Sequence, residues 1–223
     1  MDQKSDKLKI LAIHGYAQSQ DIFKGKLGSL RKGFKKKVDF TFISAPHEVS
    51  MKNNFGDDVP EAGSTVYGWW FSTNDGVFKV VDSEVLVGFE ESLALVQKTF
   101  KESGPFDGIL GFSQGASFLS VLCNLQQQKL LDFNFSFAIL ISGFKSLCAP
   151  HAKYYNEKLD IPSLHIYGTS DKVIPTEMAR ELSELFINKK VIVHEGGHYI
   201  PSSKKFYEDF IDEMLSKKGV SVV

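Results

Sequence analysis

The chain has 223 residues, with 26 Lys plus Arg against 27 Asp plus Glu and a formal net charge of −1. A chain of this length buries about 70% of its unfolded surface without help from metals or disulfides, and its 43% hydrophobic and 24% charged residues exclude disordered, collagen-like and dedicated nucleic-acid-binding classes. Its 19 Phe outnumber 7 Tyr plus 2 Trp, an aromatic excess without polar handles that suits burial or an apolar pocket.

In chain order, Leu8 to Ile13 reads as a strand and Ile22 to Arg31 as a helix, with Ile22, Phe23, Leu27 and Leu30 at helical spacing. Val38 to Ile43 is a second strand. Residues 46–75 form a long irregular stretch rich in Asn, Gly, Asp and Pro. From Ser83 to Phe100 the positions Leu86, Phe89, Leu93, Val96 and Phe100 follow the 3.6-residue period, and Gly104-Pro105 stops that helix. Asp107 to Phe112 is a short apolar strand, Gln114 to Gln128 a helix, and Phe135 to Ser142 and Pro162 to Tyr167 are strands. Pro175 to Phe186 is a helix with Pro near its first turn, Val191 to His194 a strand, and Lys204 to Leu215 the last helix. Strands alternating with helices imply βαβ units and a mostly parallel central sheet with helices on both faces. Functional residues then belong just after the strands, at their carboxyl ends.

A single domain over residues 1–223 is the expectation for this length, with 46–75 as an active-site loop. Met1 to Lys9 is charged and lacks a signal peptide's apolar run. The longest apolar stretch, Phe135 to Ile141, is far short of the ~20 residues that cross a bilayer. A cytoplasmic protein without stable membrane insertion is expected. Cys123 and Cys148 lack metal-ligand spacing and read as reduced, packed thiols, so neither metal nor cofactor is called for.

After the strand Asp107 to Phe112 stands Gly111-Phe112-Ser113-Gln114-Gly115, a G-x-S-x-G between a strand and a helix. A nucleophile on so sharp a turn leaves no room for side chains two positions away, which is why both are Gly. The hydroxyl of Ser113 then points into the cleft, and the backbone N–H of Gln114 lies at a helix N-terminus, where developing negative charge is stabilised. A serine needs a base, and the base an orienting acid. Asp171 follows the strand Pro162 to Tyr167, and His198 follows the strand Val191 to His194 behind Gly196-Gly197. Their chain order after Ser113 is the one required of such a hydrolase. Asp171 also reads as a turn or N-cap residue ahead of Pro175, a role compatible with the acid. Asp160 lies at the wrong end of its strand, and Asp57 and Asp58 precede the nucleophile. Of the other histidines, His165 and His194 fall within strands and His47 and His151 in loops without a supporting pattern.

The second oxyanion donor is expected in the loop His14-Gly15-Tyr16 after the first strand, as the backbone N–H of Tyr16. His14 reads as a structural residue of that loop. Trp69, Trp70 and Phe71 either line an acyl pocket or anchor the irregular loop on the core. Phe144, just after its strand, is a further pocket candidate. The run Arg31 to Lys37, with five basic residues, reads as a solvated helix end.

The segments His14-Gly15, Gly68-Trp69-Trp70-Phe71-Ser72, Gly104 to Gly108, the Ser113 elbow, Ser142-Gly143-Phe144, Asp171 to Pro175 and Gly196-Gly197-His198 together resemble the fungal family of serine hydrolases and, more closely, the ovarian-cancer-associated esterase branch in animals. The resemblance runs from about Leu8 to Ile211. It implies an α/β-hydrolase fold without a large cap domain, a Ser113–His198–Asp171 triad and carboxyl-ester hydrolysis. Animal members are associated with long-chain fatty acyl esters, and fungal relatives include thioesterases that release polyketide acyl chains. Many relatives of the animal branch carry an apolar residue or Ala where His14 stands, a departure that bears on His14 and leaves the triad untouched. The expected partner is a small-molecule acyl ester of medium to long chain. A thioesterase or acyltransferase using the same residues, and a non-catalytic binding module on the same fold, are the alternatives. Oligomeric state is left open.

Overall fold

The computed structural model describes residues 7–50 and 64–220. Its elements are strand β1 (Leu8–Ile13), helices α1 (Gln20–Lys26) and α2 (Gly28–Gly33), strands β2 (Val38–Ile43), β3 (His47–Glu48) and β4 (Tyr67–Gly68), helix α3 (Phe89–Ser103), strand β5 (Gly108–Phe112), helix α4 (Gln114–Gln127), strands β6 (Phe137–Ile141) and β7 (Ser163–Gly168), helix α5 (Thr176–Ser183), strand β8 (Lys189–His194) and helix α6 (Glu208–Val220). Two 3₁₀ turns, Ala149–Tyr155 and Lys204–Phe206, complete the described elements.

Six strands form one sheet in the order β2-β1-β5-β6-β7-β8, with every pairing parallel. Parallel strands covered on both faces need no polar alternation, and β5, β6 and β7 are buried at every position. Alternate residues nevertheless feed two different cores. Leu11, Ile13, Ile109, Ala138 and Leu140 pack with α3 and α4 on one face. Leu8, Ile10, Ala12, Leu110, Phe112, Ile139 and Ile141 pack with Phe23, Leu27, Leu30, Phe210 and Met214 of the α1–α2 and α6 side. From β1 the chain turns outward to β2, then returns past β1 to β5. The order reverses between β1 and β5, and it is at such a reversal that parallel sheets carry a crevice at the carboxyl ends of their strands.

Several expected boundaries move for identifiable reasons. The helix expected over Ile22 to Arg31 is two helices, broken at Leu27 (φ −86°, ψ 8°) just before Gly28. Its start is earlier, because the Ser19 hydroxyl accepts from the Ile22 N–H and caps α1. The helix expected from Ser83 begins only at Phe89. Gly88 stands at φ 87°, and residues 83–87 are spent elsewhere: Phe71 and Val87 exchange backbone hydrogen bonds of 2.8 and 3.1 Å, and Ser83 bridges to Cys148. Periodicity could not see this, because Leu86 packs on the core from the extended segment as it would from a helix. The irregular stretch 46–75 contains the short antiparallel pair β3–β4, with His47 opposite Gly68. Its residues 51–63, including Asp57 and Asp58, lie outside the described residues.

Candidate active site

Ser113 occupies the turn between β5 and α4 with φ 51° and ψ −117°. A β-carbon makes this left-handed conformation costly, and the surroundings enforce it. The Ser113 N–H donates to Ile141 O of β6 at 2.9 Å. A Cβ on Gly111 would lie 2.6 Å from Gly115 O, and one on Gly115 would meet His14 O and lie 2.6 Å from Ile13 O. Both glycines are thus required by the approach of α4 to β5 and β1. Ala17 (φ 55°) and Ser142 (φ 47°) share the positive φ, so three of the four non-glycine residues with positive φ among the described residues follow β1, β5 and β6, and the fourth, Lys129, lies just past the end of α4.

His198 bridges the two other sequence-predicted residues. Its Nε2 lies 3.0 Å from Ser113 Oγ and its Nδ1 lies 2.8 Å from Asp171 Oδ2. The Phe112 ring supports the imidazole at a centroid distance of 4.9 Å. The second carboxylate oxygen of Asp171 accepts from the Val173 and Ile174 N–H groups at 2.9 and 2.8 Å. The turn role read from the sequence and the bond to His198 therefore use different oxygens of one carboxylate. Burial alone would push the Asp171 carboxyl up. The hydrogen bond and charge of His198, with the two N–H donors, outweigh it and hold the group below its ordinary value.

The loops carrying these residues are fastened to each other. Thr169 N–H donates to His194 O at 2.8 Å, Ser170 N–H to Gly196 O at 3.1 Å, and Gly196 N–H to His194 Nδ1 at 3.1 Å. His194 therefore carries its proton on Nε2 and acts as a brace for the turn leading to His198. Its position within a strand is legible in the sequence, and the bond to the Gly196 N–H shows what the side chain does there.

The loop after β1 runs against Ser113. A Cβ on Gly15 would lie 3.3 Å from Ser113 Cβ and 3.0 Å from the Phe112 ring, so any larger residue here would crowd both side chains. His14 is fully buried: its Nδ1 donates to Gly15 O at 2.7 Å and its Nε2 accepts from Ala45 N–H at 2.9 Å. Burial pushes its pKa down to about 4, so the neutral tautomer holds the loop. The Gln114 N–H lies in the first turn of α4, where N–H groups have no partner within the helix.

The aromatic segment divides. Trp69 and Trp70 have no exposed surface, so of the two readings the sequence leaves open for them, burial favours anchoring on the core. Trp69 stacks on Phe118 at 5.2 Å and donates its indole N–H to His14 O at 2.7 Å. Phe71 packs with Ala17, Val49 and Val66, and Phe144 with Tyr167, Ile174 and Ala179. The sequence reading overlooked Phe78, the residue between these groups. Its half-buried ring lies 5.2 Å from Tyr16, 5.5 Å from Trp70 and 6.2 Å from Phe144. Tyr16 follows β1 and Phe144 follows β6, and β5 lies between those strands in the sheet. Phe78 thus touches both flanks of the crevice that holds Ser113. No periodic pattern marks it, because it sits on an irregular segment.

The remaining candidates stand apart. His165 and His151 are buried, bonded to Ser163 and Ser146 hydroxyls at 3.1 and 2.8 Å. His47 is joined to Gly88 O at 2.7 Å. Cys123 and Cys148 are buried free thiols. Among the described residues no group of three or more His, Cys, Asp or Glu is arranged to hold a metal ion. No helix among them is long and apolar enough to cross a membrane.

Comparison with known proteins agrees with this architecture. Solved structures with the α/β-hydrolase fold superpose over nearly the whole chain. SOBER1 of Arabidopsis thaliana matches with TM-score 0.61 and 18% identity, covering 94% of this chain and 99% of that one. Acyl-protein thioesterase 2 of Zea mays matches with TM-score 0.61 and 17% identity, covering 96% of each. The sheet order, flanking helices and crevice described above are those of that fold, with no large cap among the described residues. In sequence the chain is 45% identical to Esterase OVCA2 of Danio rerio over 218 residues, covering 92% of this chain and 96% of the relative. It is 34% identical to Esterase OVCA2 of Homo sapiens, again with 92% and 96% covered. The profile of the family described as "Serine hydrolase (FSH1)" matches residues 2–210. On a match of that extent, and with relatives this similar over almost their full length, the chain belongs to the serine hydrolase (FSH1) family.

Proposed function

We propose that this chain is a serine carboxyl-ester hydrolase acting on apolar acyl esters of medium to long chain. The observation that carries the reading is the hydrogen-bonded series Ser113 Oγ, His198 and Asp171. In this reading Ser113 attacks the ester carbonyl while His198 Nε2 takes the hydroxyl proton and returns it to the departing alcohol. Asp171 holds the imidazole tautomer and stabilises the imidazolium that forms. Water, activated by the same imidazole, then releases the acid and restores Ser113. The oxyanion is held by the backbone N–H groups of Tyr16 and Gln114, a role favoured by the path of Gly15 against Ser113 and the helix N-terminus at Gln114.

An apolar substrate is favoured by the residues around this machinery. Phe78 and Tyr16 form one wall, with Phe144 behind Phe78. Val173 and Tyr199, neighbours of the Asp171 turn and of His198, expose 53% and 47% of their surface. The names of the curated relatives, esterases from fish and human, agree with the reading.

A fluorophosphonate probe and a chain-length series of p-nitrophenyl esters test it. Ser113 is expected to be the labelled residue, and Ser113→Ala to lose both labelling and turnover. Full turnover in Ser113→Ala would sink the reading. Matched oxygen esters and thioesters, assayed in parallel, decide whether the leaving group is an alcohol or a thiol.

A further inference from the structure

Strand β8 ends the sheet, and among the described residues no strand pairs with its outer edge. Its inner edge is satisfied by β7: Ser163 N–H donates to Asn188 O and Thr169 N–H to His194 O, at 2.9 and 2.8 Å. Those bonds fix the parity of the ladder. Even-numbered residues direct their backbone groups at β7, so Lys189, Val191 and Val193 direct theirs outward. The side chains of these three residues are also exposed, Val191 by 39% and Val193 by 49%. An exposed, β-branched edge of this kind is a template for another strand.

We propose that a second copy of this chain pairs antiparallel with β8, about a two-fold axis at Ile192, to give a continuous twelve-stranded sheet across a dimer. The sequence of the edge selects this occupant and register. With the axis at Ile192, Val191 faces Val193 of the other copy and Lys189 faces Glu195 of the other copy, each pair occurring twice. Val191 and Val193 are odd-numbered strand residues, so their outward backbone groups meet as hydrogen-bonded pairs, and Glu195, the residue just past the end of β8, is brought opposite Lys189. Opposite charges stand directly across from each other on the same face as the two valines, an arrangement that favours pairing. Centring the axis on Val191 or Val193 would keep the hydrogen bonds but break the Lys189–Glu195 match. Neither Lys189 nor Glu195 has an ion-pair partner among the described residues. The even face is differently used: Lys190 is paired with Glu213 at 2.6 Å, against α6. The contact is isologous, as a two-fold requires, and closes without leaving the same edge open for a third copy.

Analytical ultracentrifugation of the full chain over a wide concentration range tests this. The wild type is expected to sediment as a monomer–dimer equilibrium. Lys189→Glu and Glu195→Lys, each placing like charges in both pairs, are expected to weaken the dimer by roughly tenfold. The double variant Lys189→Glu/Glu195→Lys is expected to restore it. All of these positions are exposed, and unchanged melting temperatures would exclude a folding defect. A monomer at every concentration overturns the proposal, as does a dimer that ignores the single reversals or one that the double variant fails to restore.

Discussion

The side chain of Gln114 clamps the Trp69-Trp70 pair at both ends: its Oε1 accepts from the Trp69 N–H at 2.9 Å and its Nε2 donates to Trp70 O at 2.8 Å. The residue next to Ser113 thus has a structural task for its side chain, beside the oxyanion role proposed for its backbone N–H. It carries the tryptophan segment, and the Trp69 indole in turn reaches back to His14 O. Gln114→Leu is expected to strand a buried donor and a buried acceptor at once. At about 1–3 kcal/mol per unsatisfied group, equilibrium urea unfolding should show a loss of roughly 2–5 kcal/mol. A loss below about 1 kcal/mol would mean that the segment re-pairs elsewhere.

Asp171→Asn tests orientation apart from packing. The amide oxygen can keep the Val173 and Ile174 N–H bonds, while the amide nitrogen facing His198 Nδ1 favours the wrong tautomer. Turnover on a soluble ester is expected to fall by about 10³–10⁴, with the melting temperature little changed. A loss of stability as large as the loss of rate would assign Asp171 to the turn alone.

Gly115→Ala places a methyl against Ile13 O and His14 O, which are backbone atoms and cannot swing away. The cost is therefore expected to appear in the fold as well as in the rate. Far-UV dichroism and thermal unfolding should show a destabilisation of about 1–3 kcal/mol or more. The same substitution at Gly25, whose Cβ would meet nothing within 4 Å, serves as the control.

Phe78→Ala opens the wall between Tyr16 and Phe144. A long acyl chain loses more apolar contact than an acetyl group, so kcat/KM for a long-chain ester should drop by roughly tenfold or more. The acetyl ester should change by about twofold or less. An equal drop for both would place Phe78 in the support of the Tyr16 loop instead.

Three histidines outside the Ser113–His198–Asp171 series predict acid lability. His14 and His151 are pushed by burial down to about 4, and His165 to about 3. As pH falls below about 6.5 the unfolded chain takes up these protons and the native state does not. The unfolded state then binds more protons, so stability falls with pH down to about 4, where His14 and His151 begin to charge in the fold. Urea midpoints measured from pH 7 to pH 4 should decline, and His165→Asn should flatten the curve. A flat wild-type profile would show that the rings are hydrated.

Much of this was legible in order along the chain. The alternation of apolar runs and helical periods carries the parallel sheet, and G-x-S-x-G marks the elbow because close packing of α4 on β5 tolerates only hydrogen at Gly111 and Gly115. Asp171 and His198 could be picked out because each follows a strand, and parallel strands deliver all their carboxyl ends to one edge. Where propensity misled, at Ser83 to Val87, the backbone had an alternative partner in Phe71 and Cys148 that no local pattern reveals.

By itself, then, the sequence determined which residues are nucleophile, base and acid candidates, because sheet topology turns their spacing into a common location. Only the tertiary structure decided what the aromatic residues do. Fully buried Trp69 and Trp70 became struts, while half-buried Phe78 took the place between the crevice walls. Burial of one ring and exposure of the next depends on which distant segments pack over them. That choice is made by contacts among β1, α4 and the 64–88 segment, and a linear pattern of apolar residues does not contain it.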